Sequence, residues 1–279
     1  MCKYETEWGW QCPFEPEPGK ELCIFHLPLD QKEPKEFYKH LANYLLALYE
    51  KNPTPERKKP WIVSERNEKL LDNYLRFVTP GEVWKFTGFV FPDMDEPHNF
   101  MGFIFPMNAD FSGAEFNNAD FRWAKFQNTN FYKAEFHQDA NFYEAEFHQN
   151  ANFRLAKFHQ DADFRLAKFH QDADFSEAEF RDADFRWAKF KDANFSGAEF
   201  RDADFTGAKF KDANFTGAKF KDANFRGAEF HQNAYFLKAK FHQNAYLSGA
   251  GFHQNADFSG AESENAYFSG AGFHQNANF

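Results

Sequence analysis

Residues 109–123 read Ala-Asp-Phe-Ser-Gly, Ala-Glu-Phe-Asn-Asn, Ala-Asp-Phe-Arg-Trp, and the five-residue phrase runs on to residue 279. Each unit has Ala two places before a central Phe and mostly Asp, Asn, Glu or Lys one place before it. Two polar or small residues follow the Phe. From Phe111 to Phe279 there are 33 units, the last incomplete. Phe holds the centre in all but two, which carry Leu247 and Ser263, and the Ala position departs once, at Thr129. A period of five matches neither a helix nor an ordinary strand. It matches a chain that turns a corner every five residues and sends one large and one small side chain inward per side. Phe beside Ala then fills a narrow interior without voids. The remaining three positions point outward and are expected to vary freely. The fold class that follows is an all-β solenoid, grown by adding units and not by enlarging one core.

The phrase Ala-[Asp/Asn]-Phe-x-x, sustained over about 170 residues, resembles the pentapeptide-repeat family. The resemblance implies a right-handed, quadrilateral β-helix with four units per coil, hence about eight coils for the 33 units. At a strand spacing of about 4.8 Å the rod is roughly 38 Å long. Eight units carry a sixth residue, with His-Gln inserted after Phe136, Phe147, Phe158, Phe169, Phe230, Phe241, Phe252 and Phe273. All eight are even-numbered units, so four-unit coils place the extra residue at corresponding corners, as bulges that leave the core register intact. Counting by four sets His231 and His253 one coil apart, with His274 two coils further along. Copying of a solvated corner residue by repeat duplication accounts for these histidines, and no metal or pH role is expected of them.

Upstream, the chain divides into residues 1–30, 31–80 and an irregular capping coil at 81–108. In that coil Phe86-Thr-Gly-Phe89-Val-Phe91-Pro92 is echoed by Phe100-Met-Gly-Phe103-Ile-Phe105-Pro106, with a polar corner loop over 93–99. Residues 31–80 hold two amphipathic stripes. Pro34 suits a helix start, and Phe37, Leu41, Tyr44, Leu45 and Leu48 line one face. After the Pro53/Pro55 break, Ser64 suits an N-cap, and Leu70, Leu71, Tyr74, Leu75 and Val78 line a second helix. The pair caps the solenoid or, on the alternative reading, binds a partner.

All 3 cysteines of the chain lie in the first 23 residues. Cys23-Ile-Phe-His26 has a spacing at which two ligands of one turn reach the same tetrahedral ion, and Cys2 and Cys12 complete a Cys3His set. The intervening segment, with Pro13, Pro16, Pro18 and Gly19, is too small to fold on buried area alone, so a metal staple suits it. Four protein ligands make the expected ion a structural zinc and not a catalytic one.

The formal net charge of −10 argues against direct nucleic-acid binding. No apolar run reaches the roughly 20 residues of a membrane span, and the first residues lack the basic and apolar regions of a signal peptide. A cytoplasmic location is expected. No nucleophile–base pair or phosphate loop stands out, so no enzymatic activity is expected. Some pentapeptide-repeat proteins shield DNA gyrase by resembling duplex DNA, which makes a DNA-mimicking modulator of that type II topoisomerase the alternative. Against it, residues 109–279 hold 25 Asp/Glu and 19 Lys/Arg with the signs interleaved. Asp120, Asp163, Asp184 and Asp204 align on one face, but so do Arg122, Arg165 and Arg186. The leading expectation is a non-enzymatic scaffold for a protein partner. From His231 onward only 5 charged residues remain in 49, and these last coils are where a homodimer is expected to pair end to end.

Overall fold

A computed structural model describes residues 1–7, 9, 11–51, 69, 74, 84–92 and 100–279. Two sheets of 14 and 11 strands, with every strand pair parallel, form opposite walls of a β-helix. Four columns of stacked aromatic rings run up its interior. One starts Phe86, Phe111, Phe131; the others start Phe91, Phe116, Phe136; Phe100, Phe121, Phe142; and Phe105, Phe126, Phe147. Phe86, Phe91, Phe100 and Phe105 therefore supply the four rings of a further coil beneath the eight of the repeat, giving nine. Rings one coil apart stack nearly parallel, as Phe205 and Phe225 do at 4.8 Å and 1°. Rings on opposite sides meet edge to face, as Phe185 and Phe195 do at 5.6 Å and 80°. Both arrangements suit the ring quadrupole. The Ala positions are buried with them, because a larger side chain there would collide with the Phe of the next side.

The corners explain the period. After each odd-numbered Phe, the Ala N–H three residues on donates back to that Phe carbonyl (Ala208 to Phe205, 3.0 Å). The residue before that Ala has positive φ, +66° at Gly207. This is the type II turn pattern, which favours glycine at its third position. Up to Phe225, and again at Asp257, the Asp or Asn before an odd-numbered Phe accepts the backbone N–H two residues on, as Asp163 Oδ1 does from Arg165 at 3.0 Å and Asn214 Oδ1 from Thr216 at 3.0 Å; Tyr235, Tyr246 and Tyr267 take this place in three of the later units. The outward positions are therefore not free to vary. One is held by backbone conformation and another closes an Asx turn.

The inserted residues behave as bulges. Lys157 and Phe158 pair with Glu179 and Phe180, and the pairing resumes at Asp161 with Asp182, so one strand has two residues where its neighbour has one. The core register survives. His274 is placed differently from the expectation above. It stacks directly on His253 at 5.0 Å, one coil along, because the unit centred on Ser263 occupies a side like any other.

Helix α1 (Pro34–Lys51) lies across the first coil. Phe37, Leu41, Leu45 and Leu48 are buried. Tyr44 and Tyr38 donate their hydroxyls to the Lys85 and Pro92 carbonyls at 3.0 and 2.8 Å. The second expected helix lies outside the described residues except for Lys69 and Tyr74, and the 93–99 loop lies outside them altogether. Tyr74 is buried against Phe14, Phe25 and Tyr44. Among the described residues no helix is long and apolar enough to cross a membrane.

Candidate metal centre

The first 30 residues fold onto the open end of the first coil. Cys2 N–H donates to the Phe14 carbonyl and Cys12 N–H to the Tyr4 carbonyl, and Glu5 bridges Gln11 antiparallel. This doubles the chain back so that Cys2 and Cys12 face the same interior point. Lys3 N–H reaches the Glu21 carbonyl, which brings up Cys23-Ile-Phe-His26. That tetrapeptide makes a single turn, with the His26 and Leu27 N–H groups both donating to the Cys23 carbonyl at 3.0 and 3.1 Å.

All four predicted ligands converge and are buried, each offering one donor atom within 4.8 Å of the others. Cys12 Sγ is 3.7 Å from Cys23 Sγ, and His26 Nδ1 is 3.1 Å from Cys23 Sγ and 3.8 Å from Cys2 Sγ. Ligands about 2.3 Å from a tetrahedral ion sit about 3.8 Å from one another, so the donor set fits a zinc-sized ion. The surroundings fit too. His26 Nε2 lies 3.0 Å from the Thr87 carbonyl. A carbonyl only accepts, so Nε2 carries the proton and Nδ1 turns its lone pair to the sulfurs. Metal-bound histidines are commonly oriented in this way. Cys23 N–H donates to Cys2 Sγ at 3.2 Å, a bond that favours a thiolate. Hydrogen bonding to Cys23, together with burial, pushes Cys2 up to about 11, and Cys23 is pushed up to about 12, first by its hydrogen bond with Cys12.

The head is welded to the rod around this cluster. Tyr4 stacks on His26 at 3.9 Å, and its hydroxyl lies over Gly88, where a Cβ would stand 1.9 Å from it. Phe25 stacks on Phe89 at 4.3 Å, and the Phe25 carbonyl accepts from Val90 N–H at 2.8 Å. Lys32 is buried and donates to the Phe25 and Val90 carbonyls, with its ammonium 4.6 Å from the Phe37 ring centre. Burial lowers its pKa to about 7.

A second feature, missed from sequence, runs along one corner. Each coil has two positive-φ corners; one holds Lys133, Leu155, Glu177 and Lys238 among its glycines, and on the other four successive coils place Trp123, Glu144, Leu166 and Trp187, with φ between +54° and +61°. Trp123 and Trp187 are 46% and 56% exposed, and Leu166 is exposed too. Beside them Arg122 lies over Trp123 and Arg165 over Tyr143. The result is an aromatic and arginine-bearing ridge. Its signal was present in Phe121-Arg-Trp, Phe164-Arg-Leu and Phe185-Arg-Trp, which replace the more usual Ser/Thr-Gly of the corner. The aligned carboxylates are where expected, but Asp120, Asp163 and Asp184 each pair with the adjacent Arg122, Arg165 and Arg186, at 2.5, 2.7 and 2.6 Å.

Two family models, both described as pentapeptide repeats, match this architecture. One covers residues 171–207, 198–232 and 208–254, and the other 100–146, 142–188 and 236–279. The chain belongs to the pentapeptide-repeat family. Neither family model reaches the head, so the metal centre lies outside the part of the chain that pentapeptide repeats define. Among curated protein sequences none matches this chain. One solved structure similar to it is that of HetL, described as a pentapeptide repeat protein involved in heterocyst differentiation regulation, from the cyanobacterium Nostoc. HetL is 20% identical over 64% of this chain and 88% of its own, with a TM-score of 0.24. At that score the family assignment rests on the repeat match and on the coils themselves.

Proposed function

We propose that this pentapeptide-repeat protein is a non-enzymatic scaffold that presents its corner ridge to a protein partner. The ridge is the observation that carries the reading. A bulky residue with positive φ is strained by about 1 kcal/mol or more relative to glycine, and the chain uses glycine at the equivalent corners Gly207, Gly227, Gly249 and Gly270. Trp and Leu held there, half in solvent, add little to the core. Trp, Tyr and Arg are the side chains that dominate protein interfaces. The triple variant Trp123→Gly, Leu166→Gly, Trp187→Gly keeps a residue native to this turn at each corner. Cross-linked capture from the native host should recover a specific partner with wild type and not with the triple variant. Equal recovery by both would remove the ridge from the account.

The head contributes a structural zinc held by Cys2, Cys12, Cys23 and His26, which locks it over the first coil. Metal analysis of the purified protein should give one chelator-resistant equivalent in wild type and none in Cys23→Ser. The gyrase-directed reading is not favoured, because the carboxylates that would imitate phosphates are neutralised by Arg122, Arg165 and Arg186. A supercoiling assay tests it, with no protection expected. The charge-poor last coils expose Tyr235 and Tyr267 and are the surface on which a second copy would pair. Light scattering should then give twice the chain mass.

A further inference from the structure

We infer a second metal site on the rod itself, formed by Glu135, His137 and His159 with Glu115 beside them, that takes a late first-row divalent ion such as zinc. The inference starts from the bulged corners. His137 and His159 follow Phe136 and Phe158, one coil apart, and the inserted residue lets both rings stand side by side at 5.5 Å and 9°. Glu135, His137 and His159 each bring one donor atom within 4.8 Å of the others. Glu115, one coil nearer the head, sets Oε2 3.3 Å from His137 Nε2, and Glu135 Oε2 is 3.8 Å from His159 Nε2. Two imidazoles and a carboxylate suit zinc, nickel or copper and discriminate against magnesium and calcium. Ligands about 2.1 Å from the ion need separations of about 3.0–3.5 Å. These side chains are a third to half exposed (34–48%) and can close the difference by rotating.

The molecule contains its own control. On the opposite sheet His148 and His170 stack in the same way, at 5.4 Å and 8°, beside Glu146. There the carboxylate is already held by Lys168 at 2.8 Å and Lys125 at 3.6 Å, so two cations stand where an ion would have to enter. Among the described residues, Glu115 and Glu135 have only His137 and His159 as ion-pair partners. Lys157 stands in register with Glu135 as Lys168 does with Glu146, but only Lys168 closes on its carboxylate, so the same repeat unit makes a charged clasp on one sheet and a donor set open to an ion on the other. The position gives the site a consequence. Glu115 pairs in register with Val90, the residue bound by the head through Phe25 and Lys32. An ion would clamp the coils directly above that docking turn.

The test is a zinc titration of the full chain by calorimetry, after dialysis against a weak chelator that strips surface ions. The variants are His137→Gln/His159→Gln, His148→Gln/His170→Gln and Glu115→Gln. Wild type and the His148/His170 pair should bind one more zinc equivalent than the His137/His159 pair. Glu115→Gln should weaken that equivalent about 10- to 100-fold. All the substituted side chains are on the surface, and unchanged melting without zinc confirms that the variants fold. An isotherm unaffected by the His137/His159 substitutions would overturn the site. An equal loss in the His148/His170 variant would also overturn it, since any stacked pair would then collect zinc. The outcome is independent of the head, whose own equivalent is removed only by Cys23→Ser.

Discussion

Phe195 is fully buried between Phe175 and Phe215, both 4.9 Å away ring to ring. Most coils have four such positions, and each ring away from the ends contacts the coils above and below. Phe195→Ala should cost about 3–5 kcal/mol, read as a lower denaturation midpoint, because neither the neighbouring Ala nor the stacked rings can move in to fill the space. Lys32 supplies a pH-dependent case. Burial lowers its pKa from 10.5 to about 7. Below about pH 7 it is a cation in both the folded and unfolded chain, and burying that cation is fully unfavourable. Between about 7 and the ordinary lysine range the folded form sheds its proton first, so stability rises with pH. Above that range the penalty is gone. The melting temperature of wild type minus that of Lys32→Met should therefore climb from pH 7 to 10. A flat difference would mean that the ammonium is well accommodated by the Phe25 and Val90 carbonyls.

Among elements, the bulged and regular strands respond differently to the same lesion. In Lys157–Asp163 the segment between Phe158 and Asp161 has two residues, His159 and Gln160, where the paired strand Glu179–Asp184 has only Arg181. Deleting Gln160 converts a bulged unit into a regular one, and Ala162 and Phe164 keep their places. Deleting Lys211 from the regular strand Lys209–Asn214 leaves too few residues to span the side, and Ala213 and Phe215 lose their inward positions. The first variant should melt close to wild type and the second should lose the coil, as judged by circular dichroism and proteolysis. The alternation of Asp or Asn before odd-numbered Phe with Glu or Lys before most even-numbered ones was visible in the sequence. Its meaning was not, because an Asx turn depends on which corner the backbone turns at, and the period of five alone does not distinguish odd from even.

For the whole molecule, the registers imply that coils are interchangeable units. Lys189 pairs with Lys209 and Phe190 with Phe210, and the pairing continues without slip to Asn194 and Asn214. Excising residues 190–209 joins Lys189 to Phe210 and removes one complete coil. The shortened chain should still fold, with parallel β structure and a slightly lower melting temperature, since each coil contacts only its neighbours. Failure to fold would show that the middle coils carry a specific long-range role. The head is different in kind. Its aromatic residues and its buried lysine pack on the first coil, and its thiols gather around His26, which reaches the Thr87 carbonyl, so it should be the part of the molecule whose stability follows metal removal.

The sequence by itself determined the solenoid, the inward Phe and Ala, the bulge positions and which four side chains of the head, Cys2, Cys12, Cys23 and His26, have a metal-ligand spacing. Those are properties of spacing, and spacing survives in one dimension. The convergence of Cys2, Cys12, Cys23 and His26 beneath Thr87, the ion pairs that neutralise the aspartates, the strained Trp ridge and the Glu115/Glu135/His137/His159 cluster were decided only by the tertiary structure. The Asp–Arg pairs lie two residues apart and depend on which corner a coil turns, while the other features bring together successive coils, or the head and the first coil. The stacking of one coil on the next sets these neighbours, at a separation of about 4.8 Å that no local pattern in the chain records.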